Sequence, residues 1–322
     1  MKPADSAPKL SRNALAHLLM FAMVVIWGTM FVLVKEALAY IGPQWFNALR
    51  MALAFLCLAL VYRRQWSRLT RAAWIAGAAA GGAMAAGFFF QTQGLLYTSA
   101  TNSAFLTALV VVFVPFLASI PGLRPAGGGL PSAPAWAGAL LALLGVALLT
   151  TPAHTPWLRL LHSLNHGDVL SLACAVGFAL QIIALDRAAV RVRFDQLTLL
   201  QVGFAMVFLT VAALITEPPG APAHFLAAAR PLLHPIVLLA LAASGILATA
   251  LAFSVQTWAQ QVIPATNIAI IVTLEPVFAW LTALLVLGEG LDLRRTLGAL
   301  LVVSGILAAE ILPRWRARLQ RS

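Results

Sequence analysis

The chain has 322 residues, of which 61% are hydrophobic and only 10% are charged. Soluble domains carry roughly 45–50% apolar and roughly 25% charged residues, so this composition excludes a water-soluble domain and indicates an integral membrane protein. The net charge is +11, but the basic residues form short clusters beside apolar runs. That arrangement is typical of membrane orientation, so we expect the lipid bilayer as a partner and no nucleic acid.

Apolar runs separated by polar or proline-containing breaks predict an all-α integral membrane fold with ten transmembrane helices. We expect the ten spans at residues 15–37, 44–62, 72–97, 100–120, 134–151, 168–187, 195–215, 234–259, 264–287 and 294–311.

Positive charges are unevenly distributed between the alternate sides of these spans. One side carries 15 lysines and arginines, and the other carries five. Because cytoplasmic loops are enriched in Lys and Arg, both termini are predicted in the cytoplasm. We expect a multi-pass protein of the inner (plasma) membrane, either a monomer or a homodimer.

A sequence pattern in the third and fourth spans is repeated later in the chain. Gln91-Thr92 followed by Ala100-Thr101-Asn102 recurs 165 positions later as Gln256-Thr257 followed by Ala265-Thr266-Asn267. Tandem duplication within a polytopic protein is typical of secondary transporters. Five spans per copy is an odd number, so the second copy would enter the membrane inverted. We therefore predict two five-helix repeats, at residues 15–151 and 168–311.

Polar side chains inside the spans are candidate substrate contacts, because each costs free energy unless a neighbour, water or substrate satisfies it. The candidates are Asn47, Arg50, Gln91, Asn102, Gln181, Gln201, Gln256 and Asn267. Structural alternatives stay open for all of them. Arg50 could snorkel to the outer interface or pair with a carbonyl, and the glutamines could form interhelical hydrogen bonds. Asn102 and Asn267 could cap the helices that they begin.

Two aromatic residues in the spans are also candidates for the cavity wall. Trp27 lies in the middle of its span beside Gly28, where it could line a cavity or simply pack against another helix. Phe253 shares one helical stripe with Thr249 and Gln256.

Glu275 is the one carboxylate well inside a predicted span. A group that is alternately desolvated and hydrated could couple proton movement to transport, so Glu275 is the candidate coupling residue. Pro276 should interrupt its helix, and Pro115 should interrupt the fourth span, one turn later than the repeat alignment requires. Interrupted helices are typical of a binding site at mid-membrane.

The sequence offers little support for an enzyme. It has no HExxH, GxSxG or Walker A motif, and the histidines avoid the membrane interior. Cys57 and Cys174 both fall in predicted spans, where we interpret them as small apolar packing residues. We therefore predict no metal and no cofactor.

Several short patterns resemble the EamA family of the drug/metabolite transporter superfamily, in order from about residue 20 to 310. They are Trp27, Gly28, Phe31 and Lys35; Leu95, Thr98, Ala100, Asn102, Ala104 and Pro115; and Glu275, Pro276, Gly288, Glu289, Gly298 and Gly305. The resemblance implies ten helices around a central cavity that spans 5 and 10 scarcely line. Where the family has a tryptophan near the middle of span 6, this chain has Phe178, which is included among the cavity candidates.

These observations predict a secondary transporter that exports amino acids or similar small amphipathic metabolites by alternating access, with a small molecule as its substrate. Uptake or facilitated permeation of another small metabolite remains an alternative. A non-transporting membrane receptor or assembly subunit is a second alternative.

Overall fold

The computed structural model describes residues 11–124, 133–150, 164–217 and 230–287, with scattered positions between 293 and 308. Within these residues, eight helical stretches are long and apolar enough to cross a membrane. The α-helices are Arg12–Ala37 (α1), Pro43–Val61 (α2), Arg71–Leu95 (α3), Ala100–Thr107 (α4), Val110–Ala118 (α5), Ala133–Thr150 (α6), His166–Ala189 (α7), Phe194–Thr216 (α8), Pro235–Ala242 (α9), Ala252–Ala259 (α10), Ala265–Val272 (α11) and Glu275–Leu287 (α12). A π-helical segment, Ala243–Leu251, joins α9 to α10.

The first nine predicted spans all coincide with helices that begin and end close to the predicted residues. The tenth predicted span, 294–311, lies largely outside the described residues, which include parts of the apolar stretch Thr296–Gly305. The arrangement of ten helices in two inverted repeats, with boundaries at 15–151 and 168–311, therefore stays a prediction.

Two of the predicted spans are interrupted at corresponding places. α4 ends at Thr107 and α5 begins at Val110, whereas α11 ends at Val272 and α12 begins at Glu275. The two interruptions lie 165 positions apart, which is the offset of the repeated sequence pattern. The helices are therefore interrupted at equivalent positions in both copies of the repeat, and not only in the copy that contains Glu275.

The prolines account for only one of these interruptions. Pro276 lacks an N–H and its ring excludes the carbonyl four residues earlier, so the helix ends where expected, at Val272. Pro115 lies inside α5, well after the interruption that precedes Val110. Our expectation that Pro115 breaks its span one turn late is wrong, because the break precedes this proline and follows the repeat alignment.

The π-helical segment is a departure from the continuous helix predicted for residues 234–259. Within it, Thr249 Oγ1 donates a hydrogen bond of 2.7 Å to the carbonyl oxygen of Ser244, five residues earlier. The segment packs closely on α2, because a Cβ atom on Gly245 would lie 3.1 Å from the carbonyl oxygen of Arg50. π-Helical turns are rare and occur frequently at functional sites.

Small residues allow the helices to approach each other closely. α3 crosses α7 where a Cβ atom on Gly177 would lie 2.6 Å from the amide nitrogen of Gly87. α3 also packs along α8, where a Cβ atom on Gly77 would lie 2.4 Å from the Cβ of Leu200. Lipid tails are as apolar as leucine, so membrane helices associate through such close packing and through hydrogen bonds. Large apolar side chains such as Leu60 remain exposed on the outside, where lipid can contact them.

Candidate functional site

A cavity lies among the helices, between residues of α1, α2, α3, α4, α5, α7, the π-helical segment, α10, α11 and α12. It is lined by Trp27, Met30, Phe31, Val34, Arg50, Phe88, Gln91, Leu95, Thr107, Val110, Phe178, Gln181, Ile182, Ala248, Thr249, Phe253, Gln256, Val272 and Glu275. The volume open to the centre of a water-sized sphere is about 70 Å³, which is room for several water molecules. Most of the wall is apolar, and the few polar groups can therefore fix the orientation of a bound molecule.

Many of the lining residues occupy corresponding positions in the two halves of the chain. Four pairs lie 165 positions apart: Phe88 and Phe253, Gln91 and Gln256, Thr107 and Val272, and Val110 and Glu275. Residues of α1 and α7 form three further pairs at one common offset: Trp27 and Phe178, Met30 and Gln181, and Phe31 and Ile182. The charged residues depart from this correspondence. Glu275 corresponds to the apolar Val110, and no described residue of α8 lines the cavity as Arg50 of α2 does.

Four aromatic rings form a continuous part of the wall. Phe88 contacts Phe178 edge-on with a centroid distance of 4.9 Å, and it contacts Phe253 at 5.9 Å. Trp27 lies 5.3 Å from Phe253, and its indole Nε1 donates a hydrogen bond of 2.7 Å to the carbonyl oxygen of Ala248. The three predicted aromatic candidates thus lie in the cavity wall, together with Phe88.

Arg50 is buried beside these rings. Its guanidinium carbon lies 3.7 Å from the centroid of the Phe88 ring and 5.9 Å from that of Phe46. Only 4% of the residue is exposed, so the alternative that it snorkels to the outer interface is wrong. Nε and Nη2 are buried and donate no hydrogen bond to any described residue, and no described carboxylate forms a salt bridge with this arginine. The alternative pairing with a described backbone carbonyl is therefore also absent.

Glu275 begins α12 and faces the same cavity. The residue is 8% exposed, and no described residue donates a hydrogen bond to its carboxylate. α1 fixes its position, because a Cβ atom on Gly28 would lie 2.6 Å from the Glu275 carbonyl oxygen. Gly28 therefore permits the close approach of α12 that places Glu275 in the cavity lining.

The glutamines of the second half form a hydrogen-bonded network. Gln181 donates to Gln201 at 3.0 Å, Gln201 donates to Thr257 at 2.8 Å, and Gln256 donates to Gln181 at 3.3 Å and to Gln260 at 3.2 Å. This network joins α7, α8 and α10 beside the cavity. The interhelical alternative thus describes Gln181, Gln201 and Gln256, although the first and third of these also line the cavity.

Gln91 differs from its repeat partner Gln256. It lines the cavity and is 9% exposed, but its amide forms no hydrogen bond with any described residue. It lies three residues after Phe88 and therefore on the same face of α3. Its amide is available to a bound molecule as both donor and acceptor.

Four predicted candidates lie outside the cavity lining: Asn47, Asn102, Gln201 and Asn267. Asn47 is fully buried and donates to Thr92 Oγ1 at 2.6 Å, which joins α2 to α3. In the second half, the bond from Gln201 to Thr257, the repeat partner of Thr92, joins α8 to α10.

The proposed capping role of the two asparagines is wrong. The α4 cap is Ser99, whose Oγ accepts from the backbone N–H of Asn102 at 3.0 Å. At α11 the backbone N–H of Ala265 donates to the Asp186 carboxylate at 2.9 Å. Asn102 and Asn267 are the third residues of their helices, and a capping side chain must precede the first turn.

Several lining residues were missed by selecting polar side chains. Phe88 could have been found, because it matches Phe253 at the repeat offset. Thr107, Val110 and Val272 lie beside the helix interruptions, whose positions hydropathy does not indicate. Among the described residues, no group of three histidine, cysteine, aspartate or glutamate side chains could hold a metal ion.

The fold and the cavity define a class of protein: a multi-pass helical membrane protein that encloses a small, partly polar cavity between its spans. The model of the EamA-like transporter family matches residues 14–151 and again residues 165–309. The chain belongs to the EamA-like transporter family, as the sequence resemblance predicted.

Relatives with the same general description cover nearly all of the chain. One uncharacterized transporter of Archaeoglobus fulgidus is 28% identical over 296 residues, which are 90% of this chain and 83% of the relative. A second uncharacterized transporter of that organism is 25% identical over 299 residues, or 91% and 96% of the two chains. A crystal structure with 20% sequence identity superimposes with a TM-score of 0.68 over 93% of this chain and 98% of the other, which supports the fold.

Proposed function

We propose that this membrane transporter is a secondary active exporter of amino acids or similar small amphipathic metabolites, working by alternating access. The observation that carries the proposal is the cavity itself. It combines an aromatic wall with three polar side chains, those of Arg50, Gln91 and Glu275, that form no hydrogen bond to the described protein. A molecule with an apolar body and a polar end would satisfy both parts of this wall.

The helix interruptions support alternating access. Thr107 and Val110 flank one interruption, Val272 and Glu275 flank the other, and all four residues line the cavity. At the interruptions, i→i+3 hydrogen bonds replace part of the α-helical pattern, as from the Leu109 N–H to the Leu106 carbonyl oxygen. A span can therefore bend there at lower cost than an unbroken α-helix. Corresponding interruptions on both sides of one cavity are what a two-fold rocking movement needs.

The orientation in the membrane is inferred from the charge distribution. The exposed residues Arg63, Arg64, Arg68 and Arg71 cluster from the end of α2 to the first residue of α3, on the side predicted to be cytoplasmic. We propose the inner (plasma) membrane with both termini on that side. Outward export is proposed from the resemblance to the EamA family, which usually serves small-metabolite efflux.

The proposal is tested by flux through purified protein in liposomes. Liposomes should show saturable counterflow of at least one amino acid or small amphipathic metabolite, tested beside nucleosides and amphipathic cations. Val110→Phe, which would fill part of the cavity that Val110 lines, should abolish the flux. Leu60→Phe, on the exposed outer face, is the matched control and should not.

The same measurement separates the alternatives. A receptor or assembly subunit would give no saturable flux with any compound although the protein remains folded. A facilitator would equilibrate its substrate but would not accumulate it against a gradient. Accumulation toward the predicted cytoplasmic side would favour uptake over export.

A further inference from the structure

We propose that the substrate carries a carboxylate on an apolar or aromatic body, and that Arg50 binds this carboxylate. The inference rests on the proposed function, because it takes the cavity as the substrate site. It goes beyond that function by excluding amphipathic cations and neutral solutes and by naming the group that recognises the substrate.

The first argument is the cost of a buried guanidinium without an anion. Arg50 lies within a membrane-spanning helix, is 4% exposed and contacts the cavity. A charged side chain at the centre of a membrane helix costs about 2.5–3.5 kcal/mol on insertion scales unless it is compensated. None of the described acidic residues pairs with Arg50. A carboxylate that enters the cavity would supply the missing anion.

The second argument is that the guanidinium is already held in a fixed orientation. Its carbon lies 3.7 Å from the centroid of the Phe88 ring, so cation–π attraction keeps the planar group against the aromatic wall. A planar fork of N–H donors matches the two oxygens of a carboxylate. Gln91, on the same face of α3 as Phe88, can add a further hydrogen bond to the same ligand.

The charges lining the cavity favour a monoanion over a more highly charged group. Arg50 is the one cation among the described lining residues, and Glu275 is an acid. A phosphate carries up to two negative charges and would be repelled by an ionised Glu275, with a single arginine to compensate. A carboxylate needs only the one cation that the cavity supplies.

Two kinds of compound share this chemistry. A monocarboxylate would place its acid on Arg50 and would be favoured when Glu275 is protonated. An amino acid would place its carboxylate on Arg50 and could place its ammonium near an ionised Glu275. The carboxylate is common to both, and the two are separated by comparing probes with and without the amino group.

Binding to the purified wild-type protein is measured by thermal stabilisation and titration calorimetry with two series of four related probes. The aromatic series consists of 3-phenylpropanoate, L-phenylalanine, L-phenylalaninamide and 2-phenylethylamine. The aliphatic series consists of 4-methylpentanoate, L-leucine, L-leucinamide and 3-methylbutylamine. In at least one series, a probe with a carboxylate should bind at least about tenfold more tightly than its counterpart without one. The counterpart cannot form the charge-assisted hydrogen bond to Arg50. Equal binding of acids and amines, or binding by no acid in either series, would overturn the proposal.

Variants of Arg50 connect the preference to this residue. Arg50→Gln should weaken binding of the carboxylate probe at least about tenfold while leaving binding of the matched amide within about threefold. Arg50→Lys keeps the charge but loses the fork, so it should give an intermediate affinity. Arg64→Gln, which changes an exposed arginine outside the cavity lining, is the matched control and should bind normally. Retained carboxylate preference in Arg50→Gln would overturn the assignment.

If Arg50→Gln does not fold, the decision rests on Arg50→Lys and Gln91→Leu. An unchanged ratio of acid to amide affinity in folded samples of both variants would then overturn the proposal. Flux separates this outcome from a failure of the transport function. Saturable flux of cations or neutral solutes that does not depend on Arg50 would support the transport function and contradict the proposed substrate class. Arg50-dependent carboxylate binding without any flux would support the binding site and contradict the proposed transport function.

Discussion

Trp27 in α1 and Ala248 in the π-helical segment are joined by a hydrogen bond of 2.7 Å from the indole Nε1 to the carbonyl oxygen. The same indole packs against Phe253, so the bond also orients one ring of the aromatic wall. A helix from the first half of the chain is thereby tied to the irregular part of a helix from the second half, directly at the cavity.

Trp27→Phe should remove this bond and keep an aromatic ring in the wall. We expect the free energy of unfolding to fall by about 0.6–1.5 kcal/mol, because interhelical hydrogen bonds contribute modestly. The concentration for half-maximal transport should rise several-fold, because the ring is no longer held against Phe253. Thermal unfolding and counterflow kinetics measure the two effects.

Trp45→Phe is the matched control for Trp27→Phe. Its indole donates a hydrogen bond of 2.8 Å to the carbonyl oxygen of Glu217, which also joins two helices, but Trp45 does not line the cavity. A similar loss of stability with normal transport kinetics is expected. Equal kinetic defects in the two variants would show that the effect of Trp27 is not specific to the cavity.

Gln91→Leu and Gln256→Leu should have different effects, although the two residues are related by the repeat. Gln91 forms no hydrogen bond with the described protein, so its loss should impair transport and leave thermal stability nearly unchanged. Gln256 donates to both Gln181 and Gln260, so its loss should lower stability as well. Equal stability losses in detergent would contradict this distinction.

The contrast between these two glutamines marks the limit of what the sequence could predict. Hydropathy and length located the helices, because a span of the membrane must be continuously apolar. Selecting polar residues then gave a set that included cavity-facing and helix-joining side chains together. Asn47 and Arg50 are three residues apart on α2, yet Asn47 bonds to α3 whereas Arg50 faces the cavity. A few tens of degrees of helix rotation decide between these roles, and rotation depends on packing against neighbouring helices.

The irregular segments were harder to predict for a related reason. The break before Val110 has no proline at the expected distance, and nothing in the sequence of Ala243–Leu251 marks a π-helix. Such features arise where neighbouring helices satisfy the displaced backbone groups. Their positions therefore depend on tertiary contacts.

Gly28→Ala should disturb the site by displacing Glu275. The new Cβ atom would lie 2.6 Å from the Glu275 carbonyl oxygen and 2.6 Å from the Phe278 Cβ, and neither of these atoms can move independently of α12. We expect a loss of about 1–3 kcal/mol in the free energy of unfolding and a marked loss of transport.

Gly82→Ala provides the control for this substitution. There the nearest atom to the new Cβ would be on the Phe208 ring at 3.5 Å, an ordinary contact distance. Because alanine has the higher helix propensity by about 1 kcal/mol, this variant should be neutral or slightly more stable. Thermal unfolding of both variants decides the comparison, and an equally stable Gly28→Ala protein would contradict the proposed close contact.

Orientation in the membrane can be tested with two exposed positions. Ala39 lies in the turn between α1 and α2, and Ser67 lies between α2 and α3. In a variant without native cysteines, Ala39→Cys should react with an impermeant maleimide in intact cells, whereas Ser67→Cys should react only in everted vesicles. The reverse pattern would place the termini outside the cytoplasm.

Glu275→Gln tests whether this carboxylate couples transport to protons. The other ionisable groups that bear on it are Arg50, which lines the same cavity, and Cys174, which is buried within electrostatic range of the carboxylate. Glutamine keeps the shape of the side chain and most of its hydrogen-bonding capacity but cannot titrate. If the wild-type protein exchanges protons for substrate, everted vesicles with an acidic lumen should accumulate the substrate. Glu275→Gln should lose this accumulation and retain exchange of labelled for unlabelled substrate.

Glu217→Gln is the matched carboxylate control for the coupling experiment. Glu217 accepts hydrogen bonds from the backbone N–H groups of Gln44 and Trp45 at the start of α2, away from the cavity lining. Its substitution should reduce stability, because a charged group at a helix N-terminus is lost, but pH-driven accumulation should persist. If Glu275→Gln accumulates substrate with the wild-type pH dependence, Glu275 has no coupling role. If both variants lose accumulation equally while exchange persists, the effect does not arise specifically from the cavity carboxylate. Glu275 is assigned as the proton-coupling residue only if Glu275→Gln alone loses pH-driven accumulation and still exchanges substrate. Exchange requires the same binding and the same movement but no net proton transfer.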